Sequence, residues 1–289
     1  CLHSLGRLAP PDALRSMAEL LDDHHPQVRE AALEALIRLT ACDPSGLCAL
    51  CAELAQSALP RKRRDAALLL CGLRDGERLS LLAKDEDPSV RRAAVTSLAG
   101  VRAPQTVGYL AMALSDEEAE VRVAAAQALS ERGGPEVLEP LLLALSDPDP
   151  WVQTASLKGL SSLGDPAALP GVSALLAKAG GPVLIAGLSA LAAVGGAGSL
   201  GPVEEALSDP DEDVVEAAIA ILAGFGGEWV AAHRDALIGH PHWGVRRSFL
   251  RATAQLMGEE ALPLLGEALA KESDQLVRDE IAALMGRFA

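Results

Sequence analysis

Cys42, Cys48, Cys51 and Cys71 fall within thirty residues of one another and include one C-x-x-C. Zinc and iron–sulfur clusters use this residue type and spacing when four thiolates converge. The surroundings argue for another use. Metal-binding C-x-x-C pairs sit in tight knuckles, whereas Cys51 lies on the apolar stripe Leu47, Leu50, Leu54 of a helix, and Cys71 takes a core slot that Leu fills elsewhere. Buried thiols behave as small hydrophobes, so a structural role is expected and no metal. His24-His25 and His240-Pro241-His242 occupy corresponding turns seven repeat units apart. At about 10 Å of stacking per unit that is roughly 70 Å, too far for a joint site. There is no G-x-S-x-G, no H-E-x-x-H and no phosphate-cradling glycine loop. The expectation is a protein without enzymatic activity and without a cofactor.

The run "PRKRRDAA", residues 60–67, puts four cations at the start of a helix, where the macrodipole disfavours them. A local misfit of this kind marks either a functional site or a loose, solvated turn.

The elements that hold these residues are copies of one unit. Val90, Val121, Val152, Val183, Val214 and Val245 follow one another at intervals of 31 residues, with Val28 and Leu276 or Val277 extending the series. Arg63 takes the same slot in an irregular unit, at about residues 42–74. After each anchor, apolar residues recur at +5, +8 and often +11, as in Leu33, Leu36, Leu39; Val95, Leu98, Val101; Leu157, Leu160, Leu163; Leu188, Leu191, Val194; and Ile219, Leu222, Phe225. Such spacing marks one stripe of an amphipathic helix. A second stripe precedes the anchor at −14, −11 and −7, as in Leu14, Met17, Leu21 and Val107, Leu110, Leu114. Each unit is therefore a hairpin of two helices, A then B.

The phrase between them reads as a helix start. In Asp87-Pro88 and Asp149-Pro150 the Asp suits an N-cap, and the Pro suits the first helical position, where its missing N–H costs nothing. Gly100, Gly133, Gly164, Gly195 and Gly226 follow helix B and suit a left-handed C-terminal residue. Leu2, Leu5 and Leu8 match +5, +8 and +11 of an anchor upstream of residue 1, so the chain is expected to begin inside a helix B of an incomplete repeat.

Two-helix units with D-x-x-P-x-V-R leading the second helix resemble the HEAT family, and more narrowly the short bacterial HEAT-like repeats of the phycobilin-lyase type. The resemblance spans the whole chain. It implies an all-α solenoid, a right-handed superhelix of about nine antiparallel helix pairs forming a single array over residues 1–289. It also implies that Arg29, Arg91, Arg122 and Arg246, one residue after the anchor, join an Asp–Arg ladder between units. The ladder Arg is missing at Gln153, Leu184 and Val215.

The function implied is a scaffold or adaptor that binds a protein or peptide. The iron-binding hydroxylases of the family use His-Glu dipeptides, and none occurs here. DNA glycosylases of the family need a cationic groove, while this chain carries a net charge of −15, which opposes phosphate backbones; no nucleic acid is expected. A tetrapyrrole-handling protein like the phycobilin lyases is the alternative, set against an aromatic content of only 2%. Five unevenly spaced cysteines form no disulfide framework and favour a reducing, cytoplasmic setting. Residues 179–203 hold no charge and could by length cross a bilayer. Val183, Leu188, Leu191 and Val194 keep them in repeat register, so a buried helix B is expected and no membrane span.

Positions +2 and +6 of helix B point away from both stripes and would line the concave face of such a stack. They read Glu30, Glu34; Arg92, Thr96; Val123, Gln127; Thr154, Lys158; Ile185, Ser189; Glu216, Ala220; and Arg247, Arg251. Trp243, Arg246, Arg247 and Arg251 cluster near one end, and Trp with Arg is the pairing most enriched at binding hot spots. The expected partner-binding residues are these four with Arg92, Thr96, Gln127, Thr154, Lys158, Ile185 and Ser189.

Overall fold

The computed structural model describes residues 11–41 and 44–288. Leu2, Leu5, Leu8 and Cys42 lie outside the described residues. Among the described residues every regular element is helical and there is no strand. The chain divides into two compact units, Cys1–Ala144 and Leu145–Ala289.

Unit 1 contains four hairpins: α1 (Pro11–Glu19) with α2 (Pro26–Leu39), α3 (Pro44–Ala55) with α4 (Pro60–Gly72), α5 (Gly76–Leu82) with α6 (Pro88–Ala99), and α7 (Thr106–Ala113) with α8 (Ala119–Arg132), followed by α9 (Leu138–Ala144). Unit 2 begins with α10 (Pro150–Leu163) and adds four more: α11 (Leu169–Leu176) with α12 (Gly181–Gly195), α13 (Gly201–Glu205) with α14 (Glu212–Ala223), α15 (Glu228–Ile238) with α16 (Trp243–Met257), and α17 (Leu262–Lys271) with α18 (Gln275–Met285). Within each unit successive second helices pack on one another: α4 on α6 and α6 on α8, then α10 on α12, α12 on α14 and α14 on α16. Their apolar stripes therefore form a core that grows repeat by repeat.

The helix starts follow from the cap phrase. Asp87 accepts from the backbone N–H of Ser89 at 2.9 Å, and Asp149 from that of Trp151 at 2.7 Å. Pro88 and Pro150 are the first residues of their helices. Leu36, Leu98, Leu129, Leu157, Leu188 and Ile219 are buried on the expected stripes, as are Met17, Leu110, Leu141 and Val203 on the A helices. The uncharged stretch becomes α12, which packs between α10 and α14.

Several readings need correction. Phe225, expected on a buried stripe, is 45% exposed. Gly133, Gly164 and Gly226 have positive φ, but Gly100 is right-handed at φ −75°. A Cβ on Gly100 would come within 3.0 Å of the Cys71 sulfur, so close approach is its reason for being glycine. At the end of α12 the positive φ belongs to Gly196, at 58°, and not to Gly195.

The irregular unit is offset by one residue. Pro60, Lys62 and Arg63 occupy the places of Pro88, Val90 and Arg91, so Arg63 is a ladder residue and Lys62 replaces the anchor Val. Leu70, not Cys71, then fills the core slot. Arg63 is 7% exposed; its Nε and Nη2 donate to Asp85 at 2.7 Å each, and Nη1 donates to the Ser57 carbonyl. Arg91 does the same with Asp116 at 2.8 and 2.9 Å and with the carbonyls of Asp85 and Glu86. Arg246 repeats it with Glu272, at 2.8 Å twice, and with the carbonyls of His240 and Pro241. The side chain thus closes its own A–B turn and clamps the turn of the next hairpin. Hydrogen bonds donated to these carboxylates hold all three guanidiniums above the usual arginine pKa. Arg29 and Arg122 make the bonds to their own turns. Gln153 keeps only that half, donating to the Asp147 carbonyl at 2.8 Å.

Candidate binding surface

In unit 1, α6 presents Arg92 and Thr96 and α8 presents Gln127, all exposed. Arg92 pairs with Glu120 of α8 at 3.0 Å, with both side chains mostly in solvent. An exposed pair of this kind contributes about 0–1 kcal/mol and leaves the guanidinium accessible.

In unit 2, Lys158 is exposed and Thr154 half-buried on α10. Ile185 of α12 packs its side chain partly against the core, and the Ser189 hydroxyl donates back to the Ile185 carbonyl at 3.0 Å. The α16 cluster divides by role. Arg246 has its guanidinium committed to the ladder, which removes it from the surface offered to a partner. Arg251 donates to Glu280 of α18 at 3.0 Å from a mostly exposed position. Arg247 sits 4.8 Å above the Trp243 ring and makes no ion pair among the described residues. Trp243 itself is half-buried, against the unit 2 core and 5.9 Å from the His242 ring. Trp243 also lines a cleft of about 970 Å³ with His240, Leu250, Lys271 and Asp274.

One residue escaped the sequence reading. Trp151 is 68% exposed at the start of α10, one turn before Thr154. The available signal was an aromatic placed between Pro150 and the anchor Val152, where Ser89, Glu120, Asp213 and Gly244 stand in other repeats. It adds a large amphipathic side chain to the α10 face.

The other candidates resolve into structure. In "PRKRRDAA", Arg61 donates to the Leu21 carbonyl and Lys62 to Asp22 at 2.7 Å, at the end of α1, and Arg63 belongs to the ladder. The Lys62 hydrogen bond holds the Asp22 carboxyl below the usual range. Arg61, Lys62 and Arg63 tolerate a helix start because carboxylates meet them. Cys51 is fully buried, and burial first, with Cys48 beside it, pushes its thiol up to about 12, the behaviour of an inert core cysteine. Among the described residues no group of three or more His, Cys, Asp and Glu is arranged to hold a metal. His240 Nδ1 accepts from the His242 backbone at 3.1 Å, a turn contact. His24 and His25 are exposed.

These observations define an α-solenoid protein with a side-chain-rich face on its second helices. The chain belongs to the HEAT-repeat family: the model described as HEAT repeats matches residues 76–145, 113–192 and 199–286, and that described as HEAT repeat matches 13–42. No curated protein matches the chain. Among solved structures, Kap95p, in a complex with RanGDP, is similar at 15% identity with a TM-score of 0.71, over 99% of this chain and 47% of that one. The Escherichia coli protein YibA is similar at 18% identity with a TM-score of 0.53, covering 99% and 94%. The CpcE–CpcF complex of phycocyanin lyase from Nostoc sp. PCC7120 is similar at 23% identity over 74% and 94%, with a TM-score of 0.48. The shared feature is the fold, and HEAT repeats suggest a protein-interaction scaffold.

Proposed function

We propose that this chain is a non-enzymatic adaptor whose second-helix face in unit 2 binds a protein or peptide. The observation that carries the reading is the Arg247–Trp243 pair on α16, a cation without an ion pair among the described residues held over an indole. Stacking restricts the guanidinium in advance, so less freedom is lost when a carboxylate or peptide carbonyl docks on it. Arg251 beside it, and Trp151, Thr154 and Lys158 on α10, supply further aromatic and polar groups of the kinds that protein interfaces use. Kap95p, of the same fold, engages a protein; for the present chain this supports the class of partner and not its identity.

The test is to recover proteins bound to the tagged chain from its native host, then to measure each candidate's affinity for wild type and for Arg247→Glu/Arg251→Glu. Two charge reversals at a contact centre should weaken binding at least about 100-fold, or about 2.7 kcal/mol, with the helical circular-dichroism signal unchanged. Unaltered affinity would refute this face.

A further inference from the structure

The turn between α3 and α4 carries an incomplete rung of the arginine ladder. In the complete rungs the guanidinium works on two edges. Nη1 donates to carbonyls of its own turn, while Nε and Nη2 grip the carboxylate of the next turn, as Arg91 does with Asp116 and Arg246 with Glu272. Arg29 of α2 keeps the first half: its Nη1 donates to the carbonyls of Asp23 and His24 at 2.8 and 3.2 Å. Its Nε and Nη2 have no hydrogen-bond or ion-pair partner among the described residues.

The place of the acid is taken by Ser57, which is seated as the acids are. Its Oγ accepts from the backbone N–H of Leu59 at 3.2 Å, as the Asp85 carboxylate accepts from Asp87 at 2.9 Å, Asp116 from Glu118 at 3.0 Å and Glu272 from Asp274 at 2.8 Å. Its carbonyl accepts from Arg63 Nη1 at 2.9 Å, as that of Asp85 does from Arg91. The side chain is half-exposed, between the exposed Gln56 and Ala58.

The slot therefore has its donors and lacks its anion. Asp65 of α4 does not supply one: burial holds its carboxyl above the usual carboxylate range against the pull of Arg61, Arg64 and Arg29, and its ion pair, at 3.9 Å, is with Arg61. The N-terminus of α4, just beyond Ser57, favours a negative charge here. Reach selects the kind of anion. The terminal oxygens of a phosphoserine lie as many bonds from Cα as the carboxylate oxygens of Glu272, and Glu272 fills the equivalent slot with two bonds of 2.8 Å to Arg246.

We propose that Ser57 is a phosphorylation site whose phosphate completes the rung with Arg29 and fastens the α1–α2 hairpin to the α3–α4 hairpin. The agent is a protein serine kinase using a nucleoside triphosphate. The bond from the γ-phosphorus to its bridging oxygen breaks, the bond from Ser57 Oγ to phosphorus forms, the hydroxyl proton passes to solvent and the nucleoside diphosphate departs.

Mass spectrometry of the chain isolated from its native host should find phosphate on Ser57. Phosphoserine installed at position 57 of the full chain by expanded-code translation should raise the folding equilibrium constant roughly tenfold, read by circular dichroism in urea. Ser57→Glu, with the reach of Glu272, should raise it about threefold. Both gains should fall below about twofold in an Arg29→Gln background, where the glutamine can keep the bond to its own turn as Gln153 does. An unmodified Ser57 in the native chain, a phosphoserine chain no more stable than wild type, or a gain that survives Arg29→Gln would each overturn the proposal.

Discussion

Helices α6 and α12 hold the same place in their hairpins and are locked to their neighbours by opposite means. At α6 the residue after the anchor is Arg91, whose guanidinium is buried and joined to Asp116 and to two carbonyls. At α12 the corresponding residue is Leu184, and tight apolar contact takes over. A Cβ on Gly187 would meet the Leu176 methyl at 2.6 Å, so α12 lies as close to α11 as the glycine permits. The comparison teaches that the clamp is a device for pairing specific turns and not a requirement of the stack.

The ladder residues and the turn residues they would reach are matched within this one chain. The carboxylate lies five residues before the next anchor: Asp85 for Arg63, Asp116 for Arg91, Glu272 for Arg246. For Gln153 that position is Lys178, and for Val215 it is His240. At both positions no acid is available and the arginine is absent, whereas Arg29 is kept although its counterpart is Ser57. Leu184 is the converse mismatch, because its counterpart Asp209 is an acid in the right place, and a cleft of about 380 Å³ is lined by both residues.

The contrast can be broken at its strong end first. Arg91→Ala leaves Asp116 and two turn carbonyls without their donor, and should cost about 3–5 kcal/mol in urea unfolding monitored by circular dichroism. Arg92→Ala, one residue away but exposed, should cost no more than about 1 kcal/mol. Equal losses at both positions would show that the burial of the clamp is irrelevant. On the apolar side, Gly187→Ala forces Leu176 to move and should cost about 1–3 kcal/mol, read by the same denaturation.

The charge component of a clamp is separable through pH. Arg246 hydrogen bonds hold the Glu272 carboxyl below the usual glutamate value. A carboxylate with a depressed folded pKa contributes stability above its unfolded pKa of about 4.3 and loses that contribution as pH falls through the lower folded value. Stability should therefore fall on acidification below about pH 4.3 by a larger amount in wild type than in Glu272→Gln, with parallel curves above pH 6. The smallest effect is expected from installing the missing clamp. Leu184→Arg fills the cleft and meets Asp209, and because ion pairing must offset desolvation and lost apolar contact, stability should stay within about 1 kcal/mol of wild type. A loss as large as that of Arg91→Ala would mean that this gap is closed to a guanidinium.

What could be read from the residues alone was the periodic part. Leu98, Leu129 and Leu157 could be assigned to the core because each recurs in a helical stripe, and Asp87 and Asp149 to caps because an Asp-Pro start has a local mechanism. Arg63 was misplaced for a physical reason: the irregular unit keeps its clamp and gives up its anchor Val for Lys62, and a reading pinned to apolar residues follows the wrong one. Arg246 reads from sequence both as a ladder residue and as a binding residue, because sequence shows charge and not which carboxylate receives it. Trp151 went unread because it lies off the stripes, where burial imposes no pattern and only direct view of the side chain reveals exposure.

The Asp-Pro turn has one more consequence. Because the hairpins share one period and each leans on its immediate neighbours, excising residues 91–121 would join Val90 to Arg122, so that Arg122 takes the place of Arg91 and the helix keeps its Asp87–Pro88 start. A polypeptide assembled this way can lengthen or shorten by whole modules through unequal recombination of its own coding sequence, with each new junction already compatible with folding.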